Sequence, residues 1–242
     1  MTLDSEKIRA IAFDYGNTLI EFGPRQIEYQ YAALRDTLIR MFGNCDEQRL
    51  KSIRDRQSIE PLYTDYREND LRIITAELVN DIYDIVPSEE QVNELIQTRY
   101  DSFLHVVNLT DDVLPLLKKL KKKYHVALLS NYPCGRTILD SLKKIGIDEI
   151  FDATIISGDV GYVKPHPKPF EILLTELQNR PDQCVYIGDN WLADVQGSKR
   201  VGMHAVLTTQ YVPYHDVEQN EDDYRPDASI RNLTELENML LP

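Results

Sequence analysis

From about residue 109 onward, short apolar runs alternate with amphipathic stretches. The runs are residues 126–129, 153–156, 185–187 and 205–207, and a run of the same kind occupies 8–13. Between them, 113–122, 136–145, 169–177 and 191–201 carry apolar residues at helical spacing. A strand that is apolar at every position has no face for water, so these runs predict a parallel sheet covered by helices on both sides. Two of the helices are predicted to end at glycine after a basic last turn: Lys143 and Lys144 before Gly146, and Lys199 and Arg200 before Gly202.

Residues 24 to 107 have a different texture. The stretch is charged, shows helical periodicity and offers no strand signal. Helices are predicted over 26–41, 47–57, 71–85 and 89–103, the third after Glu68-Asn69-Asp70 and the fourth after Pro87-Ser88, with Ser88 as N-cap. The pattern predicts an α/β domain formed by residues 1–22 and 108–242, interrupted by an all-helical insert at 23–107. Ligands of open α/β sheets bind at the carboxyl ends of the strands. An insert leaving the end of the first strand is therefore expected to lie over that site.

Charge narrows the partners. Forty acidic against 27 basic residues give a formal net charge of −13, which argues against nucleic acid or an anionic membrane surface as partner. An anionic substrate then needs a local positive site. The one dense basic run, Lys118-Lys119 with Lys121 to Lys123, reads as the solvated end of a helix. Cys45, Cys134 and Cys184 have no metal-ligand or disulfide spacing, and Cys184 reads as a core residue. No signal peptide and no run approaching the ~20 apolar residues of a membrane span is evident, so a cytoplasmic protein, monomer or homodimer, is expected. The six tyrosines of the insert (29, 31, 63, 66, 83 and 100) read as core, and the five histidines (105, 125, 166, 204 and 215) form no cluster.

Four segments stand at predicted strand ends. Asp14-Tyr15-Gly16-Asn17-Thr18 sets a carboxylate at the sheet edge beside backbone amides, although Asp, Gly and Asn are also ordinary turn residues. Ser130-Asn131 offers a hydroxyl and an amide before a helix, which suits phosphate oxygens and equally suits an N-cap. In Lys164-Pro165-His166-Pro167 the prolines hold the chain extended so that the lysine can face inward, yet a lone lysine is usually a surface residue. Gly188-Asp189 through Asp194 is the most informative: two aspartates five apart at a strand-to-helix junction can share a hard cation.

In this order the segments resemble the motifs of the haloacid dehalogenase superfamily: Asp-x-Asp-x-Thr, a Ser/Thr, a lysine, and Gly-Asp-x(4)-Asp. The resemblance spans the core and implies a Rossmann-like parallel sheet with a helical cap between the first and second motifs. It further implies a phosphatase-like hydrolase acting on a small phosphorylated substrate. Asp14 would be the nucleophile, forming an aspartyl phosphate. Mg²⁺ would be bound by Asp14, Asp189 and the Gly16 carbonyl, with Asp194 supporting the metal. Lys164, Ser130 and Thr18 would be catalytic partners, and Asn131, Gly16 and Asn17 would line the substrate.

One position departs from the family. Its second aspartate, the general acid and base, is Gly16 here, and such help is commonly worth about 10²–10⁴ in rate. Four expectations compete: a leaving group that needs no proton, such as an acyl or aryl phosphate; an acid supplied from elsewhere, Glu21 or the cap; a catalytically weak relative that binds a phosphorylated ligand or a protein; and a metal-free haloacid dehalogenase, against which the intact Gly188-Asp189-x(4)-Asp194 speaks. The family's ion pumps also lack that aspartate, but they need membrane spans. Glycine's backbone freedom is also expected to matter at Gly16.

Overall fold

The computed structural model describes residues 6–212 and 224–241; His215 lies outside them. Six parallel strands form one sheet: β1 (Ala10–Phe13), β2 (His125–Ser130), β3 (Ala153–Ile156), β4 (Cys184–Gly188), β5 (His204–Thr208) and β6 (Ala228–Ile230). Their order is β3-β2-β1-β4-β5-β6, which puts β1 at the centre between β2 and β4. All four β1 residues are fully buried, as a strand packed on both faces requires.

Helices α5 (Val113–Lys121) and α6 (Gly135–Lys144) pack Leu116, Leu117, Ile138 and Leu142 against one face with Ile11 and Phe13. On the other face α8 (Pro167–Leu177) packs Phe170, Leu173 and Leu177 against Ala10, Ala12 and Tyr186. Gly146 and Gly202 stop their helices with φ 72° and 87°, a backbone that side-chain-bearing residues rarely adopt. The lysine run ends α5 and is partly ion-paired, Lys119 to Glu237 and Lys121 to Asp152. Cys184 is buried, and burial pushes its thiol up to about 12. Among the described residues no helix is long and apolar enough to cross a membrane.

The insert is helical throughout: α1 (Pro24–Phe42), α2 (Glu47–Ile59), α3 (Leu71–Tyr83) and α4 (Glu89–Val106). Its cluster of Leu34, Leu38, Leu50, Ile53, Leu78, Val79 and Leu95 is separate from the sheet clusters. Asp46, Asp70 and Ser88 cap α2, α3 and α4 by accepting backbone N–H bonds, and the Gln91 side chain returns to the Ser88 N–H. The tyrosines of the insert are not core residues as expected. Tyr63 is 79% and Tyr29 43% exposed, while Tyr31 and Tyr83 only flank the cluster.

The chain departs from its sequence pattern in three places. β6 and the helix α10 (Glu235–Leu240) extend the sheet and its cover beyond the predicted elements. The predicted helix over 191–201 begins as a wide π-type turn, Trp191–Gln196, before the α-helical Gly197–Arg200. The insert also reaches back to the core. Arg67 bridges Tyr162 antiparallel, with Val163 N donating to Tyr66 O at 2.9 Å and Glu68 N to Gly161 O at 3.1 Å.

Candidate active site

Parallel pairing ends β1, β2 and β4 on one edge, so the residues that follow them converge there. Asp14 continues the pairing by donating its N–H to Ile187 O at 2.8 Å, which aims its carboxylate past the sheet. Lys164, only 3% exposed, is the hub: its Nζ lies 2.7 Å from Asp14 Oδ1, 2.6 Å from Asp194 Oδ1 and 2.8 Å from the Tyr186 hydroxyl. The expectation of an inward lysine holds in geometry. Burial alone would lower the Lys164 pKa, but Asp14 and Asp194 outweigh it and raise it well above normal.

Several neighbours hold this hub. Asn131 spans the Lys164 backbone, accepting its N–H at 2.8 Å and donating to its carbonyl at 3.1 Å. Tyr186 donates to Leu129 O at 2.8 Å while facing the ammonium. Asp194 takes the N–H of Asn190 on Oδ2, and Ser198 donates to its carbonyl. A Cβ on Gly188 would lie 2.3 Å from the Asp194 carboxylate, so only glycine lets that carboxylate close over the end of β4.

Asp14, Asp189 and Asp194 each bring one carboxylate oxygen within 4.8 Å of the other two. Three such groups share one ammonium. Burial first, then the Asp14 and Asp194 charges, raise the Asp189 pKa, and burial also raises that of Asp194 against the pull of Lys164. A cluster of carboxylates that outnumbers its one ammonium, with hard oxygen ligands, fits a divalent cation, whose charge would favour their ionised forms. The Gly16 carbonyl accepts no backbone hydrogen bond among the described residues and is free to serve as a ligand.

The remaining predicted residues fall into two groups. Ser130 is buried at the end of β2, and its hydroxyl has no protein hydrogen-bond partner among the described residues. Thr18, expected to be catalytic, is fully buried and reaches only Asp189, at a long 3.5 Å. Asn17, expected to touch substrate, is the left-handed residue of the turn (φ 57°), and its side-chain oxygen is taken by the Phe22 N–H at 2.9 Å. Asn131's amide is likewise spent on Lys164. For Asn17 the local turn, and for Asn131 the lysine loop, engages the side chain.

At Gly16 the backbone is not in the left-handed region, and an added Cβ would meet Phe22 Cβ at an ordinary 3.6 Å. The turn therefore needs no glycine at 16; the strained position is Asn17. Glu21 is exposed and does not line the cleft over the site.

That cleft has a volume of about 600 Å³ and runs from Lys164 and Asp189 up to α2, α3 and α4. Its cap wall includes Arg54, Gln57, Glu68 and Arg99, none of which the sequence singled out. Glu68 accepts from Ser157 Oγ and from the Asn69 N–H, and burial raises its pKa. Tyr186 was missed because it sits in an apolar strand, where its phenol reads as bulk rather than as a donor.

A family model described as a haloacid dehalogenase-like hydrolase matches residues 8–202. A glyceraldehyde 3-phosphate phosphatase of Methanopyrus kandleri is 26% identical over 231 residues, 95% of each chain. The crystal structure of a 2-haloacid dehalogenase from Pseudomonas syringae pv. Tomato aligns with TM-score 0.74 at 24% identity, covering 96% of this chain and 98% of that one. The magnesium-bound HAD-hydrolase YfnB of Bacillus subtilis aligns with TM-score 0.70 at 19% identity, covering 97% and 99%. Both structural likenesses are a matter of fold.

Proposed function

We infer this chain's reaction from one premise: it belongs to the haloacid dehalogenase-like hydrolases. The reading is a Mg²⁺-dependent phosphohydrolase in which Asp14 attacks the phosphorus of a small phosphorylated substrate. The observation that carries it is the Lys164 ammonium set between Asp14 and Asp194 with Asp189 beside them. The resemblance to a named phosphatase over nearly the whole chain supports the same class.

The cation would be held by Asp14, Asp189 and the Gly16 carbonyl, with Asp194 positioned through Lys164 and Asn190. When bound, it neutralises phosphoryl oxygens and the charge gathered in the transition state. The protein's own groups do the rest. Lys164 aims the Asp14 carboxylate, and its charge can extend to a phosphoryl oxygen. Ser130 brings a hydroxyl whose hydrogen-bonding capacity the protein has not used. Attack by Asp14 makes an aspartyl phosphate and expels the leaving oxygen, and water then hydrolyses the acyl phosphate.

With Gly16 in place of a carboxylate, the leaving oxygen departs without a proton from that position. Leaving groups of low pKa, acyl and aryl phosphates, are thereby favoured over alkyl ones. Glu68 is the half-buried carboxyl of the cap wall, but both its oxygens are tied to Ser157 and Asn69, which suits a strut between cap and core better than a proton donor.

The test is p-nitrophenyl phosphate hydrolysis with Mg²⁺ titrated from excess chelator, on wild type and Asp14→Asn. The expected results are metal-dependent turnover in wild type and a loss of at least ~10³-fold in the variant with its circular dichroism unchanged. Turnover that persists in chelator would overturn the metal role, and near-normal turnover in the variant would overturn the nucleophile.

A further inference from the structure

Two arginines of the cap face the cleft without acidic partners. Arg54 on α2 and Arg99 on α4 line its wall opposite Lys164 and Asp189, and both also line a smaller adjoining pocket of about 230 Å³. The electrostatic neighbours of Arg99 are Arg54, Tyr132, Cys134 and Tyr31, with no carboxylate among them. Arg54 lies over the Tyr31 ring, 5.9 Å from its centroid. Among the described residues, no ion pair joins either guanidinium to a carboxylate.

The chain's net charge is −13, and the cap arginines Arg35, Arg40 and Arg56 are paired at the outer surface with Glu47, Glu94 and Asp81. Arg54 and Arg56 sit on the same helix, yet Arg54, which lines the cleft, has no acid paired to it among the described residues. Burial first, then the Arg54 charge, pull the Arg99 pKa down to about 9, so it is still protonated at neutral pH. Two like charges held together in a part-buried wall are costly unless an anion joins them.

The same walls hold other unmet polar groups. Gln57, 3% exposed, gives its Nε2 to Ile74 O at 2.7 Å and leaves Oε1 without a partner. Gln30 Nε2, in the adjoining pocket, is unpartnered as well.

We propose that Arg54 and Arg99 form a subsite for a second anionic group of the substrate, a carboxylate or a phosphate, separated by a short spacer from the phosphoryl group that reacts at Asp14. The proposal rests on the phosphohydrolase reading and narrows its substrate class to small, doubly anionic phosphate compounds. Guanidinium forks match both carboxylate and phosphate oxygens, and a cleft of about 600 Å³ accommodates such a molecule. The core end of the cleft takes the reacting group, and the cap end reads what else the molecule carries.

The experiment measures competitive inhibition of p-nitrophenyl phosphate hydrolysis by propyl phosphate, 3-(phosphonooxy)propionate and propane-1,3-diol bisphosphate, with direct calorimetric binding of the same three compounds. In wild type, one or both dianchored compounds should bind about 10- to 100-fold tighter than propyl phosphate, and which one does tells carboxylate from phosphate. Arg99→Met, and Arg54→Met with it, should bring that ratio close to 1, and Arg99→Lys should keep part of it. Equal binding of all three in wild type, or a ratio that survives in the double variant, overturns the subsite. If wild type fails to hydrolyse p-nitrophenyl phosphate, the phosphohydrolase reading falls, while the calorimetric ratio still decides the subsite. Should Arg99→Met not fold, Arg54→Met and Arg99→Lys carry the same comparison.

Discussion

The two walls of the cleft have opposite charge imbalances. On the core side, three aspartates gather around one lysine at the ends of parallel strands; on the cap side, two arginines face the same space with no described carboxylate paired to them, the oxygens of Glu68 being tied to Ser157 and Asn69. The core wall is fixed by backbone pairing: Asp14 extends β1 along β4, Asn131 clamps the Lys164 loop, and Gly188 yields its Cβ space to Asp194. The cap wall is the inward surface of helices whose own core lies elsewhere. On the proposed reading, chemistry is carried by strand ends and recognition by helix surfaces that can vary without disturbing them.

If that division is right, a single methyl group in the core wall should do more damage than any change in the cap. Gly188→Ala places a Cβ against the Asp194 carboxylate and must displace it. It should cost about 1–3 kcal/mol of stability and lower Mg²⁺ affinity at least ~10-fold, read by chemical denaturation and metal titration. Unchanged metal affinity would show that the Asp194 position is not decisive.

Tyr186→Phe tests the same wall more gently. It removes the phenol that bonds both Lys164 and Leu129 O, leaving buried polar groups short of a partner. The expected cost is about 1–3 kcal/mol, with turnover reduced and the Mg²⁺ midpoint nearly unmoved.

Gly16→Asp sharpens the comparison by adding chemistry to the core instead of removing it. The site has room for the Cβ and no left-handed backbone to strain. Alkyl phosphate turnover should rise by about 10- to 100-fold relative to aryl phosphate turnover. A wild type that already hydrolyses both equally would place the acid elsewhere.

The smallest effect belongs to Glu68, the strut between the two regions. Its carboxyl has a raised pKa in the folded chain, chiefly from burial. The protonated form is therefore the better docked one. That stabilisation is complete below the unfolded-chain pKa of about 4.3 and is lost as pH rises through the raised value. Glu68→Gln should flatten the melting temperature across that window, and an unaltered pH slope would remove the strut role.

Much of the core site could be read one residue at a time. Asp14, Ser130 and Asp189 stand at the ends of apolar runs, and parallel pairing carries the ends of such runs to one edge whatever the loops between them do; Lys164 and Asp194 lie in the loop and turn beyond β3 and β4. The cap helices were equally readable, because Asp46, Asp70 and Ser88 are local capping signals. The polar turn residues were harder. Polar atoms of Thr18, Asn17 and Asn131 engage Asp189, Phe22 and Lys164, a choice made by neighbours close in space. The three-residue β6 and six-residue α10 were too short to carry a period of their own.

The sequence alone determined the α/β core, the helical insert and the order of the chemical residues, since hydrophobic period and capping act over a few residues. Only the tertiary structure decided which phenol faces Lys164, how Tyr66 to Glu68 bind the insert to Gly161 and Val163, and which arginines come together in the cap wall. Those pairings join residues 22 to 97 positions apart in the chain wherever the packed faces bring them together. Arg54 and Arg99, on separate helices, acquire a shared meaning only when α2 and α4 close over the ends of the strands.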